Sequence, residues 1–197
     1  MGYSYTGIAA TTAAVANRYV ASANMKVGAY TLANTTPVWQ GAAFVTVTHT
    51  TVAVGTDDLG TIEVVGTDLT GAARSETITP LADTVATGTI PFRSITSITG
   101  AGWVIAGGND TIVVGVAAGA IVVGSQGTIH SLVINTAAAA AITISDASRT
   151  IATIPSSQAA GTEYLYDADF AGYLKVATTS TNDITVTHTG TLPAAMS

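Results

Sequence analysis

Cysteine is absent from the 197 residues, and charged residues are scarce. Without cysteine, the chain has neither a disulfide framework nor thiolate metal ligands. Asp, Glu, Lys and Arg make up 9% of the chain, against roughly 25% of a typical soluble domain. A disordered chain shows the opposite pattern, with low hydrophobicity and high charge. We therefore expect a folded protein whose Thr-, Ser-, Ala- and Gly-rich surface is partly covered by neighbours. The alternative is a secreted monomer with a Thr-rich surface.

Basic clusters and long apolar segments are also missing. The six Lys and Arg residues are scattered, whereas nucleic-acid binding requires a clustered basic face. The most apolar run, 112–124, is interrupted by three glycines and is shorter than the roughly 20 residues of a membrane span. The start, MGYSYTGIAATT, lacks the basic and apolar stretches of a signal peptide. We expect no nucleic-acid partner, no membrane partner and no export signal.

What the chain does contain is a series of short segments rich in Val, Ile and Thr, separated by Gly- and Asp-rich turns. This spacing is typical of β-sandwiches and barrels. It predicts an all-β fold with two small antiparallel β-sandwich or barrel-like domains preceded by an N-terminal arm. The predicted divisions are an arm at 1–36, a first domain at 37–120, and a second domain at 121–197 that ends in a short C-terminal tail. The predicted strands lie at 44–49, 61–65, 74–79, 91–98, 103–105, 111–114, 128–134, 141–144, 150–154, 163–166, 173–176 and 183–188.

The first 36 residues carry four of the seven tyrosines. Aromatic side chains in a tail of small residues act as anchors when they find a pocket, because each buries a large area. We interpret the segment as an arm that docks on a neighbouring subunit, or alternatively as a first strand pair of the same domain. It is helical or extended. The candidate assembly contacts are Tyr3, Tyr5, Tyr19, Tyr30 and Trp39.

One short sequence occurs twice, as VTVTHT at 45–50 and ITVTHT at 184–189. In each copy the Val or Ile residues and the His share one strand face, and the Thr residues share the other. The match is short and of low complexity. We interpret it as similar strand chemistry in preference to an internal duplication.

No catalytic pattern is found in the sequence. His49, His130 and His188 stand apart from one another, whereas a zinc site needs three or four converging ligands. Asp167 and Asp169 have spacing compatible with calcium, but the rest of an EF-hand loop is absent, and turn chemistry explains the acidic residues. The serine-nucleophile elbow and the phosphate-binding glycine motifs are missing. We expect no catalytic, cofactor or metal site, and a protein that is not an enzyme.

Two stretches resemble modules of tailed-bacteriophage virion proteins. The first is TIEVVGTDLTGAARSETITPL with PFRSITSITGAGWVI and NDTIVVGV. The second is GTIHSLVINTAAAAAITISDASRTIATI with TEYLYDADFAGYLKVATTSTNDITVTH, and together they span most of residues 43–190. The resemblance implies a β-sandwich protein of the virion, closest to capsid decoration (cement) proteins, bound to the major capsid protein or other virion proteins. It also implies a homo-oligomer, with a trimer favoured, on the capsid exterior, made in the host cytoplasm.

Two other functions remain open. The first is a tail, neck or fibre-base component of the virion. The second is a glycan-binding adhesion module, in which Trp39 and Trp103 would serve as stacking platforms instead of packing in cores.

Overall fold

The computed structural model describes residues 3–9, 12–52, 57–105 and 109–190. In these residues the regular structure is β-strand, and every strand pairing is antiparallel, which confirms the all-β prediction. The predicted C-terminal tail, 191–197, lies outside the described residues. None of the described residues forms a helix long and apolar enough to cross a membrane. The strands are β1 (Ser4–Ile8), β2 (Val15–Asn24), β3 (Ala43–Thr50), β4 (Thr61–Thr67), β5 (Ala73–Ile78), β6 (Val85–Phe92), β7 (Ser94–Ala101), β8 (Thr111–Val116), β9 (Ala120–Val123), β10 (Gly127–Ile134), β11 (Ile142–Ser145), β12 (Thr150–Ile154), β13 (Glu163–Phe170), β14 (Leu174–Thr178) and β15 (Ile184–His188).

The strands form because apolar and polar residues alternate along them. In β4, Ile62 and Val64 are fully buried, while Thr61 and Glu63, which alternate with them, are exposed. Such alternation gives a strand one face for the core and one for solvent. β9 is different, since all four of its residues are buried, as expected for a strand covered on both faces.

The chain divides into two compact units. The terminal unit comprises Met1–Ala13, Val38–Ala42 and Ala118–Ser197, and the inserted unit comprises Ala14–Pro37 and Ala43–Ala117. The terminal unit contains the sheets β1-β15-β10-β13 and β12-β11-β14-β9, and the inserted unit contains the sheets β2-β8-β3-β6 and β5-β4-β7. Two sheets in each unit agree with the sandwich-like prediction.

The two units repeat one topology. In chain order, β1, β10, β11, β12, β13, β14 and β15 occupy the sheet positions that β2, β3, β4, β5, β6, β7 and β8 occupy in the inserted unit. Even β9, which pairs with β14, has a counterpart, because Ala29 bridges Thr99 of β7 at the corresponding edge of the sheet. The last residues of β13 and β6 correspond as well: Phe170 pairs with Gly127 and Phe92 with Ala43, and both rings are buried.

The repeated VTVTHT and ITVTHT sequences are not the signature of this repeat. The first lies in β3, whose counterpart is β10, whereas the second begins in β15, whose counterpart is β8. The two histidines therefore lie at different positions of the common topology.

The division between the units differs from the predicted boundaries at 36 and 120. Within the predicted arm, β1 pairs with β15 and β2 pairs with β8, so the segment is extended and supplies one strand to each unit. Ala42 bridges Ile121, which places 38–42 in the terminal unit. These partners are more than 75 residues away in sequence, and local pattern carries no signal for such pairings.

Two predicted strands also differ from the structure. The segment predicted as one strand at 91–98 contains the end of β6 and the start of β7, with Arg93 between them. The residues predicted as a strand at 103–105 make a single bridge, between Val104 and Asp58.

Candidate assembly surface

Three of the five candidate contact residues are core residues of their own units. Tyr19 is 0% exposed, Tyr30 is 6% exposed and Trp39 is 5% exposed. The Tyr30 hydroxyl donates to the backbone carbonyl of Met25 at 2.7 Å, and burial raises the pKa of Tyr30 to about 12. Burial also raises the pKa of Tyr19, partly offset by the charge of the adjacent Arg18. In the folded chain these three side chains face the interior and are not presented to a partner.

The other two candidates, Tyr3 and Tyr5, are 51% and 71% exposed. Their exposure follows from the orientation of β1. Ile8 is buried and the Thr6 hydroxyl lies 3.0 Å from His188 Nε2, so the even-numbered residues face the interior. The odd-numbered residues must then face outward, because side chains alternate along a strand.

A local irregularity places His130 beneath Tyr3. The pairing of β10 with both of its neighbours shifts register between Ile129 and Ser131. Relative to β13, the extra residue lies in β13, between Leu165 and Ala168, whereas relative to β15 the extra residue is His130. Asp167 opposite it has a positive φ of 45°. His130 Nδ1 and Asp167 Oδ1 are 2.5 Å apart, and the rings of Tyr3 and His130 are 4.7 Å apart between centroids. Bulges commonly redirect a side chain in this way, and here Asp167 orients the ring on which Tyr3 packs.

The remaining two histidines are buried. His49 accepts the Asp83 amide at Nδ1 (3.3 Å), and its Nε2 lies 3.1 Å from Asp110 Oδ2. His188 has Thr6 as its partner at Nε2, while its buried Nδ1 has none. Burial lowers the pKa of His188, which favours the neutral ring.

Two carboxylates hold hairpin turns. Asp68 accepts the amides of Thr70 and Ala72 at 2.8 and 3.1 Å. Asp146, in the corresponding turn of the terminal unit, accepts the amides of Ser148 and Arg149 at 2.7 and 2.8 Å. The Ser148 amide is the main cause that lowers the pKa of Asp146 to about 2. These contacts are turn chemistry, in which an Asp side chain binds amides a few residues ahead.

The described residues contain no group of three or more His, Asp or Glu side chains placed to hold a metal ion. Asp167 and Asp169, the pair with possible calcium spacing, bind different partners. Asp167 contacts His130, and Asp169 accepts the Thr128 hydroxyl at 2.8 Å.

A groove in the inserted unit lies between β5 and β6. Its volume is about 390 Å³, and it is lined by residues 76–79, 81 and 85–89. The two strands are not hydrogen-bonded to each other as a ladder. Instead the Glu76 carboxylate accepts the amides of Thr89 and Ile90, at 2.5 and 3.2 Å, so it takes the place of a strand's backbone carbonyls.

The sequence predicted Tyr3 and Tyr5 as contact residues, but it did not predict the contact between His130 and Asp167 next to Tyr3. The bulge that brings the pair together depends on the register between β10 and its neighbours, and no residue type in the segment predicts that register.

Comparison of the chain with protein-family models, with curated proteins and with solved structures found no match.

Proposed function

We propose that this chain is a non-enzymatic virion structural protein that decorates and stabilises a phage capsid by bridging capsomers. The observation that carries the proposal is the exposure of two tyrosines at an edge strand without charge: Tyr5 lies in β1 and Tyr3 directly precedes it. Exposed tyrosines on an uncharged edge are unusual for a free monomer. They are well suited to contacts between proteins, where Tyr is enriched.

The uses of the polar side chains support a structural role. Asp68 and Asp146 hold turns, Glu76 joins two strands, and His49 is held between Asp83 and Asp110. Each of these groups binds a neighbour within its own unit and stabilises the β framework. The low charge of the chain, 9% of residues, is consistent with a surface that neighbouring subunits cover.

A decoration protein stabilises a shell by mass action. It binds the assembled capsid and not the separated subunits, so each bound copy shifts the equilibrium towards the intact particle. The proposed partner is the major capsid protein, with other virion proteins as alternatives, and the proposed location is the capsid exterior.

The copy number in purified particles tests this proposal. Quantitative mass spectrometry on particles of the phage that encodes the chain should find hundreds of copies per particle. Six, twelve or a few copies would overturn decoration in favour of a tail, neck or fibre-base component. Absence of the chain from the particles would overturn both virion functions.

Glycan binding has less support in the described residues. Trp39 is 5% exposed and its indole NH points to the Ala42 carbonyl at 3.5 Å, so its ring is not available as a stacking platform. Trp103 is partly exposed. A glycan array on which the chain binds strongly, with binding lost in Trp103→Ala, would support the adhesion function instead.

A further inference from the structure

Strands at the ends of sheets expose unpaired amides and carbonyls, and proteins usually protect them from pairing with other chains. Among the described residues, each end strand other than β1 carries such protection, from a charge, a proline, a register shift or a covering segment. Charged residues lie in β2 (Arg18), in β5 (Arg74 and Glu76) and in β13 (Asp167 and Asp169), and a proline, Pro91, lies in β6. A register shift disturbs β12, and single bridges cover β7 and β9. The protecting residues are Arg18, Arg74, Glu76, Asp167, Asp169, Pro91, Ala29 and Ala42.

Within the part of the chain that the structure describes, β1 has none of these features. Ser4–Ile8 contains no charge and no proline, and its pairing with β15 runs from Ser4–His188 to Ile8–Ile184 without a register shift. It is last in the order of its sheet. A straight, uncharged edge of this kind is a template for another strand.

We propose that β1 pairs with β1 of a second copy of this chain, antiparallel and centred on Thr6. This register pairs all five residues of the strand. It sets Ser4 opposite Ile8 of the other copy, Tyr5 opposite Gly7, and Thr6 opposite Thr6. The two four-stranded sheets then form one eight-stranded sheet, and a twofold axis passes between the two Thr6 residues.

The outer face of β1 is complementary to itself in this register. Tyr5 and Gly7 both face outward, and they alternate across the twofold axis. A Cβ built on Gly7 has nothing within 4 Å, so there is open space above this glycine. The ring of Tyr5, 71% exposed, covers Gly7 of the other copy, an arrangement in which an aromatic side chain compensates for a cross-strand glycine.

The start of β1 is also held in place for pairing. Tyr3 packs on His130, which Asp167 orients. A strand already fixed on its own sheet loses less conformational entropy when it pairs with a partner. The net charge of −6 per chain opposes association of two copies, but no charged side chain lies in the paired strands themselves.

A twofold strand pair gives a dimer, in place of the trimer that the virion resemblance favours. The dimer extends the self-association within the proposed function, and it requires no capsid. A negative result with the purified chain therefore rejects the strand pairing alone, while the copy number in particles tests the virion role.

Sedimentation velocity over a range of concentrations tests the pairing with a matched pair of variants. Gly7→Lys puts a charge on the edge, at a position where a side chain meets no atom of the chain. Gly28→Lys is the control, since Gly28 is an exposed glycine in the inserted unit with equally open space. We expect dimers for the unaltered chain and for Gly28→Lys, and monomers for Gly7→Lys with an unchanged thermal midpoint. A monomer or trimer of the unaltered chain, or a dimer that survives Gly7→Lys, would overturn the proposal.

Cysteine cross-linking tests the register, because the chain has no native cysteine. Tyr5→Cys chains mixed with Gly7→Cys chains should form a disulfide-linked dimer under mild oxidation, whereas either variant alone should not. Cross-linking of Tyr5→Cys with itself would overturn the Thr6-centred register.

Discussion

Asp110 of the inserted unit and Asn182 of the terminal unit occupy the same position of the repeated topology, just ahead of the last strand of each unit. Both side chains are buried, at 0% and 1% exposed. Asp110 Oδ1 accepts the amide of Val52 at 2.8 Å, and Asn182 Oδ1 accepts the amide of Ala139 at 2.9 Å. Each therefore ties down the segment that follows the corresponding strand, β3 or β10. The repeat thus includes a buried polar contact as well as the strand order.

Asp110→Ala should lower the stability of the inserted unit by roughly 3 kcal/mol, because it leaves His49 and the Val52 amide without their buried partner. Asp110→Asn keeps a side-chain carbonyl oxygen for the Val52 amide, so we expect a smaller loss of stability. Trp103 is the one tryptophan of the inserted unit and Trp39 that of the terminal unit. Guanidinium unfolding followed by fluorescence in a Trp39→Phe background measures the loss. Equal stability of the Ala variant and the parent would contradict the bracing role of Asp110.

His188 should make the terminal unit sensitive to mild acid. Burial holds its pKa below the ordinary value of 6.5, so the unfolded chain binds a proton that the folded chain resists. Stability is then complete above about pH 6.5 and declines as the pH falls through that value towards the lower pKa of the folded state. His188→Val, which places at this position the residue type of its β8 counterpart Val116, should flatten the decline.

Urea unfolding at intervals between pH 7 and 5, read at Trp39 in a Trp103→Phe background, checks this expectation. Asp146 titrates at about 2 in the folded chain and at 3.8 ordinarily, below this range. If the stability falls equally steeply with decreasing pH in His188→Val and in the parent chain, another group is responsible for the decline.

Glu76 should control the junction of β5 and β6. Glu76→Ala removes the acceptor of the Thr89 and Ile90 amides, and such hydrogen bonds to a charged group contribute about 1.5–3 kcal/mol. We expect faster hydrogen exchange at those two amides and a loss of stability within that range. Glu63→Ala is the control, because Glu63 lies on an exposed position of β4. Unchanged exchange at Thr89 in the Glu76 variant would contradict the role of the carboxylate.

Deletion of residues 1–13 should destabilise the terminal unit and leave the inserted unit folded. The deletion removes Ile8, which is 1% exposed, and loss of such a side chain alone costs roughly 2–5 kcal/mol. It also removes Thr12, whose hydroxyl accepts the amide of Thr178 at 2.7 Å. Separate fluorescence transitions from Trp39 and Trp103 distinguish the units. A Trp39 transition at the same denaturant concentration as in the full chain would show that residues 1–13 do not stabilise the terminal unit.

The local strand pattern was predictable because it depends on neighbouring residues. The alternation of Ile62 and Val64 with polar residues predicted β4, and the end of β5 was expected before Pro80. What could not be predicted depends on distant partners. The sequence predicted that Tyr19 anchors an N-terminal arm on a neighbouring subunit. Its burial comes instead from the pairing of β2 with β8, more than 85 residues away. The contact between His130 and Asp167 likewise depends on a register shift that only the assembled sheet defines.

The most direct test of the proposed virion role is a difference map between electron cryomicroscopy reconstructions of particles with and without the chain. Density of the size of these two sandwich-like units should be present on the outside of the shell at capsomer junctions, and only in particles that carry the chain. Identical shells in the two reconstructions would contradict the capsid role.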